Sequence, residues 1–307
     1  MGEAAAAEPV VALFGPTGMG KTEIAIALAE LIGGEVVSAD SMQVYRGLPI
    51  ATNQPSAEQL ARVPHHLIAV VDPNEEFSVA RYAGLAHTAV DDTLARDRRA
   101  ILAGGSGLYL RAGLGGLGFA GPPSPVERRQ LEALASADPA ALRAQLRACD
   151  PATFAAIDNR NPRRVVRALE ALLDEPDGPR PARDRLWSDA GLRHATRLFS
   201  LEVEREWLRQ RVDARVDEMF HRGLLDEVAA LPQPLSRTVA QAIGVREMLA
   251  VLAGELTLDD ARARMKARTR GYVRRQLTWM RKLNADIIPT SARPPKSVAS
   301  EIARRLS

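Results

Sequence analysis

The chain has 307 residues, 41 basic against 38 acidic side chains, a formal net charge of +3, and a composition 46% hydrophobic and 26% charged. That length exceeds one typical domain, and the composition excludes an intrinsically disordered chain. The single cysteine, Cys149, excludes a disulfide framework, a zinc finger or an iron–sulfur cluster, and no apolar run is long enough to span a membrane. The opening MGEAAAAEPVV carries Glu3 and Glu8 and no basic stretch, so it does not read as a secretory signal, and a soluble cytoplasmic protein is expected.

In chain order, residues 10–14 (VVALF) form a short apolar run stopped by Gly15-Pro16, which predicts a buried strand. A helix follows, with Ile24, Leu28 and Leu31 at spacings of four and three, ended by Gly33-Gly34. Residues 35–40 predict a second strand with Asp40 at its C-terminal end, and residues 66–71, 100–103 and 196–203 predict three more. Strands alternating with helices imply βαβ units and a mostly parallel sheet. Between about 120 and 191 the texture becomes Ala/Leu/Arg-rich with helical spacing, bounded by proline-rich stretches at 121–125 and 176–181. The expected organisation is an α/β core of the P-loop NTPase type, residues 1–120 and 192–307, ending in long helices. A small all-helical insertion at 121–191 hangs from it by two hinges.

Gly15-Pro16-Thr17-Gly18-Met19-Gly20-Lys21-Thr22 is a complete G-x-x-x-x-G-K-[ST] motif between a strand and a helix. Glycines let main-chain N–H groups turn onto phosphate oxygens. Lys21 reaches the terminal phosphate, Thr22 offers a hydroxyl to Mg²⁺, and the helix N-terminus adds partial positive charge. Lys21 is also the only lysine before Lys266; apart from Lys282 and Lys296, every other cation is arginine. Such an exception suggests a site that needs a compact ammonium rather than a planar guanidinium.

Asp40 should face the phosphates from the carboxyl end of its strand, as a general base or a partner of magnesium; a helix cap is the equal alternative. Ser106, in the turn Gly104-Gly105-Ser106-Gly107, lies near the same phosphates or an acceptor, or merely caps the next helix. Arg211 and Arg215 share a helix face, where spacing alone favours pairing with Asp213, Asp217 and Glu218 over clamping a diphosphate. His65-His66 has no ligand partner at metal spacing and reads as structural. Arg160, Arg163, Arg164 and Arg167 cluster in the insertion. Residues 261–285 hold nine cations and no acid, with Tyr272 and Trp279 interleaved. Two such clusters favour a nucleic-acid partner over a solvated basic face.

The strings GPTGMGKT, SADSMQVYRGLPIAT, PHHLI, DPNEEFSVARY, GGSGLYLRAGL, NPRRVVRALE, AQAIGVREM and RRQLTWMRKL, in this order from about residue 10 to 290, resemble the bacterial tRNA dimethylallyltransferases. The resemblance implies transfer of a dimethylallyl group from its diphosphate to N6 of the adenosine just 3′ of the anticodon. The loop of residues 15–22 would then hold a prenyl diphosphate and Mg²⁺ rather than ATP. It makes Asp40 the general base and places Ser106, where many members have threonine, beside the acceptor amine and diphosphate. Arg215, with Lys21 and Thr22, steadies the leaving group. Contacts to the anticodon stem-loop are carried onto Asp40, Ser41, Met42, Gln43, Ser106, Arg128, Arg163, Arg164, Val165, Val166, Arg167, Gln241, Ala242, Ile243, Gly244, Val245 and Arg246. Val245 stands where tyrosine is common, and Gln54 where lysine is common. A single subunit is expected. The rival readings are an adenylate isopentenyltransferase acting on free AMP or ATP, a small-molecule kinase, and a non-catalytic RNA-binding protein switched by nucleotide.

Overall fold

The computed structural model describes residues 10–115, 124–174, 191–291 and 293–306. They fall into two compact units, one within 1–117 and 184–307, the other within 118–183. In chain order the elements of the larger unit begin with β1 (Val10–Phe14), α1 (Lys21–Ile32), β2 (Gly34–Ser38), α2 (Ala57–Arg62), β3 (His65–His66), α3 (Val79–Ala95), β4 (Arg99–Gly104) and α4 (Gly107–Leu114). The smaller unit supplies α5 (Pro125–Ala137), α6 (Pro139–Cys149), α7 (Pro151–Ala156) and α8 (Pro162–Asp174). The larger unit resumes with β5 (Thr196–Glu202), α9 (Arg205–His221), α10 (Leu224–Ala229), α11 (Arg237–Ala240), α12 (Val245–Leu252), α13 (Leu258–Met280), β6 (Asp286–Pro289) and α14 (Pro295–Leu306).

The six strands form one sheet in the order β3-β2-β4-β1-β5-β6, with every pairing parallel. All five residues of β1 are buried, as a strand covered on both faces requires. Apolar residues of α1, α14, α9 and the sheet form one core: Ile24, Leu28, Val298, Ile302, Leu208, Val212 and Phe199 are all nearly inaccessible. Gly113 of α4 approaches Leu102, Tyr82 and Ala86 so closely that a Cβ would lie 2.8 Å from Leu102 Cδ2. The chain moves from β1 to one side of the sheet and later to the other, so a crevice opens at the carboxyl ends of β1, β2 and β4. No described helix is long and apolar enough to cross a membrane.

Several sequence expectations shift. Leu31 is 56% exposed; α1 instead buries the whole stretch Ile24–Ala29, because α14 covers one side and the sheet another. The strand expected at 66–71 is the two-residue β3. Leu67 (φ 62°) and Ala69 (φ 50°) are left-handed, which breaks a ladder, and Ala69 instead donates its N–H to the Gln43 carbonyl. β2 stops at Ser38, leaving Asp40 just beyond the sheet. The C-terminal region is not helical throughout, since DIIP forms β6 beside β5.

The smaller unit is helical throughout its described residues, around Leu131, Leu142, Leu146, Val165, Val166 and Leu169. Asp138 and Asp150 cap successive helices by accepting main-chain N–H groups, each followed by proline at the first helical position. The stretch 176–181 and residues 121–123, read from sequence as hinges, lie outside the described residues.

Candidate active site

The loop between β1 and α1 turns on Gly18 (φ 87°) and Gly20 (φ 90°), a conformation only glycine adopts without strain. It presents the unpaired N–H groups of the first turn of α1 to a cavity of about 280 Å³. Thr17, Gly18, Gly20, Lys21 and Thr22 line that cavity together with Asp40, Gln43, Arg211, Arg215 and Glu218. Gly15 and Met19 serve packing instead: Met19 is buried, and its sulfur fills the space where a Cβ on Gly15 would stand.

Charge is concentrated at the loop end. Lys21 donates from Nζ to the Pro16 carbonyl at 2.8 Å. Burial lowers its pKa to about 8, opposed by the Asp40 carboxylate and reinforced by the Arg215 guanidinium. Arg215 donates from Nη1 to Thr17 Oγ1 at 2.5 Å. Burial pulls its pKa down as well, while Asp40 pulls it up. Arg211 lies 5.0 Å over the Trp207 ring and donates from Nε to the Gly18 carbonyl at 3.2 Å. The acid pairing expected from spacing is therefore not formed by these two arginines. Asp213 pairs with Arg270 and Asp217 with Lys266, both from α13.

Asp40 caps a turn rather than a helix. Oδ1 accepts the N–H groups of Met42 (2.8 Å) and Gln43 (3.3 Å), which fixes the turn after β2. Oδ2 makes no hydrogen bond within the described residues, and Asp40 lines the cavity. Tyr82, Tyr109 and Tyr272 have their pKa values raised, chiefly by burial, with a neighbouring tyrosine next for Tyr82 and Tyr109 and the Asp40 charge contributing to all three, so they remain neutral phenols. Thr22 Oγ1 is likewise unengaged.

Side-chain amides lace the wall of the cavity. Ser38 Oγ donates to Gln43 Oε1, and Gln43 Nε2 donates to the Asn53 carbonyl. Gln54, where lysine is common in the family, donates to the carbonyls of Gln43 and Tyr45. Glu227 reaches from α10 to accept the N–H groups of Ile50 (2.6 Å) and Ala51 (2.8 Å), and burial raises its pKa. His66 Nε2 pairs with the buried Glu35 at 2.7 Å, consistent with a structural histidine.

Ser106 precedes α4 without capping it through its side chain, and it is not among the residues lining the cavity. Glycines this dense point to a close approach of the main chain, and the structure supplies the partners. A Cβ on Gly104 would lie 2.1 Å from the Ala39 carbonyl oxygen, one on Gly105 2.3 Å from Gln276 Nε2, and one on Gly107 2.2 Å from the Trp279 ring. Sequence reasoning gave Gln276 no role, although it lies in RRQLTWMRKL, one of the strings that carry the family resemblance.

The residues carried over for RNA contact divide by exposure. Arg163, Arg164, Arg167, Gln241 and Arg246 are exposed, and Ser41, Met42, Ala242, Ile243 and Arg128 are partly so. Val165 (0%), Val166 (4%) and Val245 (0%) are core residues whose side chains pack inward, so their assignment to RNA contact is corrected. Gly244 is buried too, its N–H donated to Glu247. Arg128 and Arg167 flank the buried Glu170 at 3.5 and 3.8 Å.

The profile of the family described as IPP transferase matches residues 43–283. The chain is 42% identical over 306 residues to the tRNA dimethylallyltransferase of Anaeromyxobacter dehalogenans, an alignment covering 96% of this chain and 99% of the relative. It is 44% identical to that of Salinispora tropica over 90% of this chain and 86% of the relative. Among solved structures it is similar to the full-length tRNA isopentenylpyrophosphate transferase of Bacillus halodurans, with a TM-score of 0.69, 36% identity and 97% of each chain covered. It is also similar to a eukaryotic dimethylallyltransferase acting on tRNA, with a TM-score of 0.81 and 30% identity over 96% of this chain and 77% of that one.

Proposed function

The chain belongs to the IPP transferase family, and we propose that it transfers a dimethylallyl group from dimethylallyl diphosphate to N6 of the adenosine 3′-adjacent to the anticodon of tRNA. The observation that carries this reading is the asymmetry of the cavity. Lys21, Arg215 and the amino end of α1 make one end cationic, and beside them stands the Asp40 carboxylate, whose Oδ2 has no hydrogen bond among the described residues; Glu218 is the other carboxylate of the lining. A diphosphate suits the first; an amine that must lose a proton as it attacks suits the second.

In the reaction, the N6 lone pair attacks C1 of the dimethylallyl group, the C1–O bond breaks, and diphosphate leaves with the bonding electrons. Asp40 takes the amine proton. Lys21, Arg215 and the main-chain N–H groups of the loop meet the negative charge as it grows on the departing oxygen, where stabilisation accelerates the step.

No group of three His, Cys, Asp or Glu side chains among the described residues is arranged to hold a metal. The unengaged Thr22 hydroxyl on the cavity wall nevertheless fits Mg²⁺ bound mainly through diphosphate oxygens, the usual manner for this ion. When bound, it would neutralise charge on the diphosphate. Exposed arginines, Arg163 and Arg164 in the smaller unit and Arg264, Arg274 and Arg275 on α13, offer cations to RNA phosphates. We place the enzyme in the cytoplasm as a single subunit.

The test is incubation with Mg²⁺ and radiolabelled dimethylallyl diphosphate, with unmodified tRNA in one tube and AMP in another. Label in tRNA alone is expected. Label in AMP would replace the reading by transfer to a free nucleotide, and label in neither would refute prenyl transfer.

A further inference from the structure

Gln276 lies on the inner face of α13, 3% exposed, and both ends of its amide are engaged. Oε1 accepts the main-chain N–H of Thr17 at 3.0 Å, and Nε2 donates to the Gly105 carbonyl at 2.9 Å. One side chain therefore ties the phosphate loop to the Gly104–Gly107 turn that carries Ser106. These two segments are 88 residues apart in the chain and follow different strands.

The surroundings leave this bridge little slack. Gly105 has no room for a Cβ because Gln276 occupies the space, and one helical turn on, Trp279 does the same at Gly107. Thr17 is held from the other side by Arg215, whose guanidinium donates to the threonine hydroxyl. The Thr17 N–H is thus turned away from the cavity, and the phosphate cradle is left to the N–H groups after it. A neutral amide is the group this position needs. It accepts on one side and donates on the other while placing no charge beside a diphosphate.

We infer that Gln276 is a positioning residue for the transfer, setting the separation between the loop that holds the donor diphosphate and the turn that presents Ser106 to the acceptor. The inference rests on the proposed dimethylallyl transfer. Misplacement of reacting groups by about 1 Å can lower a rate by about 100-fold without weakening binding. The signature of this role is therefore a fall in kcat with little change in KM.

The experiment compares the full-length wild type with Gln276→Met and Gln276→Glu. For Gln276→Met, kcat is expected to fall about 10- to 100-fold while KM for dimethylallyl diphosphate and for tRNA stays within about threefold. Hydrogen exchange should quicken in the peptides covering 15–20 and 104–107, and not elsewhere in α1 or α13. Glutamate is isosteric and, once protonated, accepts from Thr17 and donates to Gly105 as the amide does. Activity of Gln276→Glu relative to wild type should therefore climb as pH falls, while the ratio for Gln276→Met stays flat. Taking the ratio removes the pH dependence that all three proteins share. Should the methionine variant not fold, the pH ratio of the glutamate variant decides alone. A wild-type kcat in Gln276→Met, a loss confined to KM, unchanged exchange at both loops, or a pH-independent ratio for Gln276→Glu would each overturn the inference. Absence of transfer by the wild type would instead overturn the proposed function, and the exchange measurement would still report on the bridge.

Discussion

Replacing Lys21 by methionine is expected to abolish transfer and to change how the stability of the donor-free protein depends on pH. The fold lowers the Lys21 pKa from 10.5 to about 8, chiefly by desolvation. Below pH 8 the ammonium is charged in both the folded and the unfolded chain, and the folded state bears the full cost of burying it. Between pH 8 and 10.5 the folded state gives up a proton that the unfolded chain retains, so wild-type stability gains with rising pH across that window. The displacement corresponds to about 3 kcal/mol. The side chain is only half-buried, so solvent screening reduces this to about 1–2 kcal/mol. Methionine is uncharged and contributes no such slope.

Subtracting the variant's unfolding free energy from that of the wild type, by chemical denaturation at several pH values from 7 to 10.5, removes every titration the two proteins share. The difference should move in favour of the wild type by about 1–2 kcal/mol over that range. At pH 8.5, binding of inorganic diphosphate should raise the lysine pKa again and draw in a fraction of a proton, measurable by calorimetry in buffers of different ionisation enthalpy. A flat difference curve together with diphosphate binding that takes up no proton would refute the claim that the loop desolvates this ammonium for a phosphate ligand.

Asp40→Asn keeps an acceptor for the Met42 N–H but loses the basic oxygen; kcat should fall by about 10²–10⁴ with tRNA affinity unchanged in a filter-binding assay, and wild-type turnover would remove Asp40 as the base. Gly104→Ala drives a Cβ into the Ala39 main chain, so an unfolding midpoint shift equivalent to about 2 kcal/mol or more is expected. Arg268→Ala strands the buried Glu247 carboxylate, which Arg268 pairs with in the wild type, and should destabilise by about 2–3 kcal/mol at pH 7.

The phosphate loop was legible because its glycines, lysine and threonine lie in one continuous stretch whose neighbours declare strand and helix. Asp40 was legible as a position and not as a function, since an aspartate after a strand serves equally as cap and as base; the structure engages Oδ1 in the turn and leaves Oδ2 without a hydrogen bond among the described residues. β3 was overestimated because HLIAVV has strand composition, and composition does not register the left-handed turns at Leu67 and Ala69. β6 was missed because DIIP is short and follows a long basic helix, and its pairing with β5 is a tertiary contact between residues some 87 positions apart. The valines at 165, 166 and 245 were assigned to RNA contact only through the segments that contain them, and burial separates them from their arginine neighbours.

The basic run of α13 shows how charge reading from sequence goes astray and how it is repaired. The nine cations of residues 261–285, seven of them on α13, read as a single nucleic-acid footprint, yet helical phase divides them. Arg262, Lys266 and Arg270 are spaced by four and turn toward α9, whose Asp213 and Asp217 carry the same spacing. Arg268 closes on Glu247 of α12. Arg264, Arg274, Arg275 and Arg281 remain exposed on the outside of the helix, while Gln276 on its inner side holds the phosphate loop. Of the three α9 acids expected to pair with Arg211 and Arg215, Asp213 and Asp217 are taken up from α13, and Glu218 lines the cavity with the two arginines. The cations of one helix thus free those of another for the diphosphate. Arg270→Ala should accordingly release Asp213 to compete for the α9 arginines and weaken diphosphate binding by a few-fold, although Arg270 does not line the cavity. Unchanged inorganic diphosphate affinity in that variant would show that Arg211 and Arg215 are held in place without help from α13.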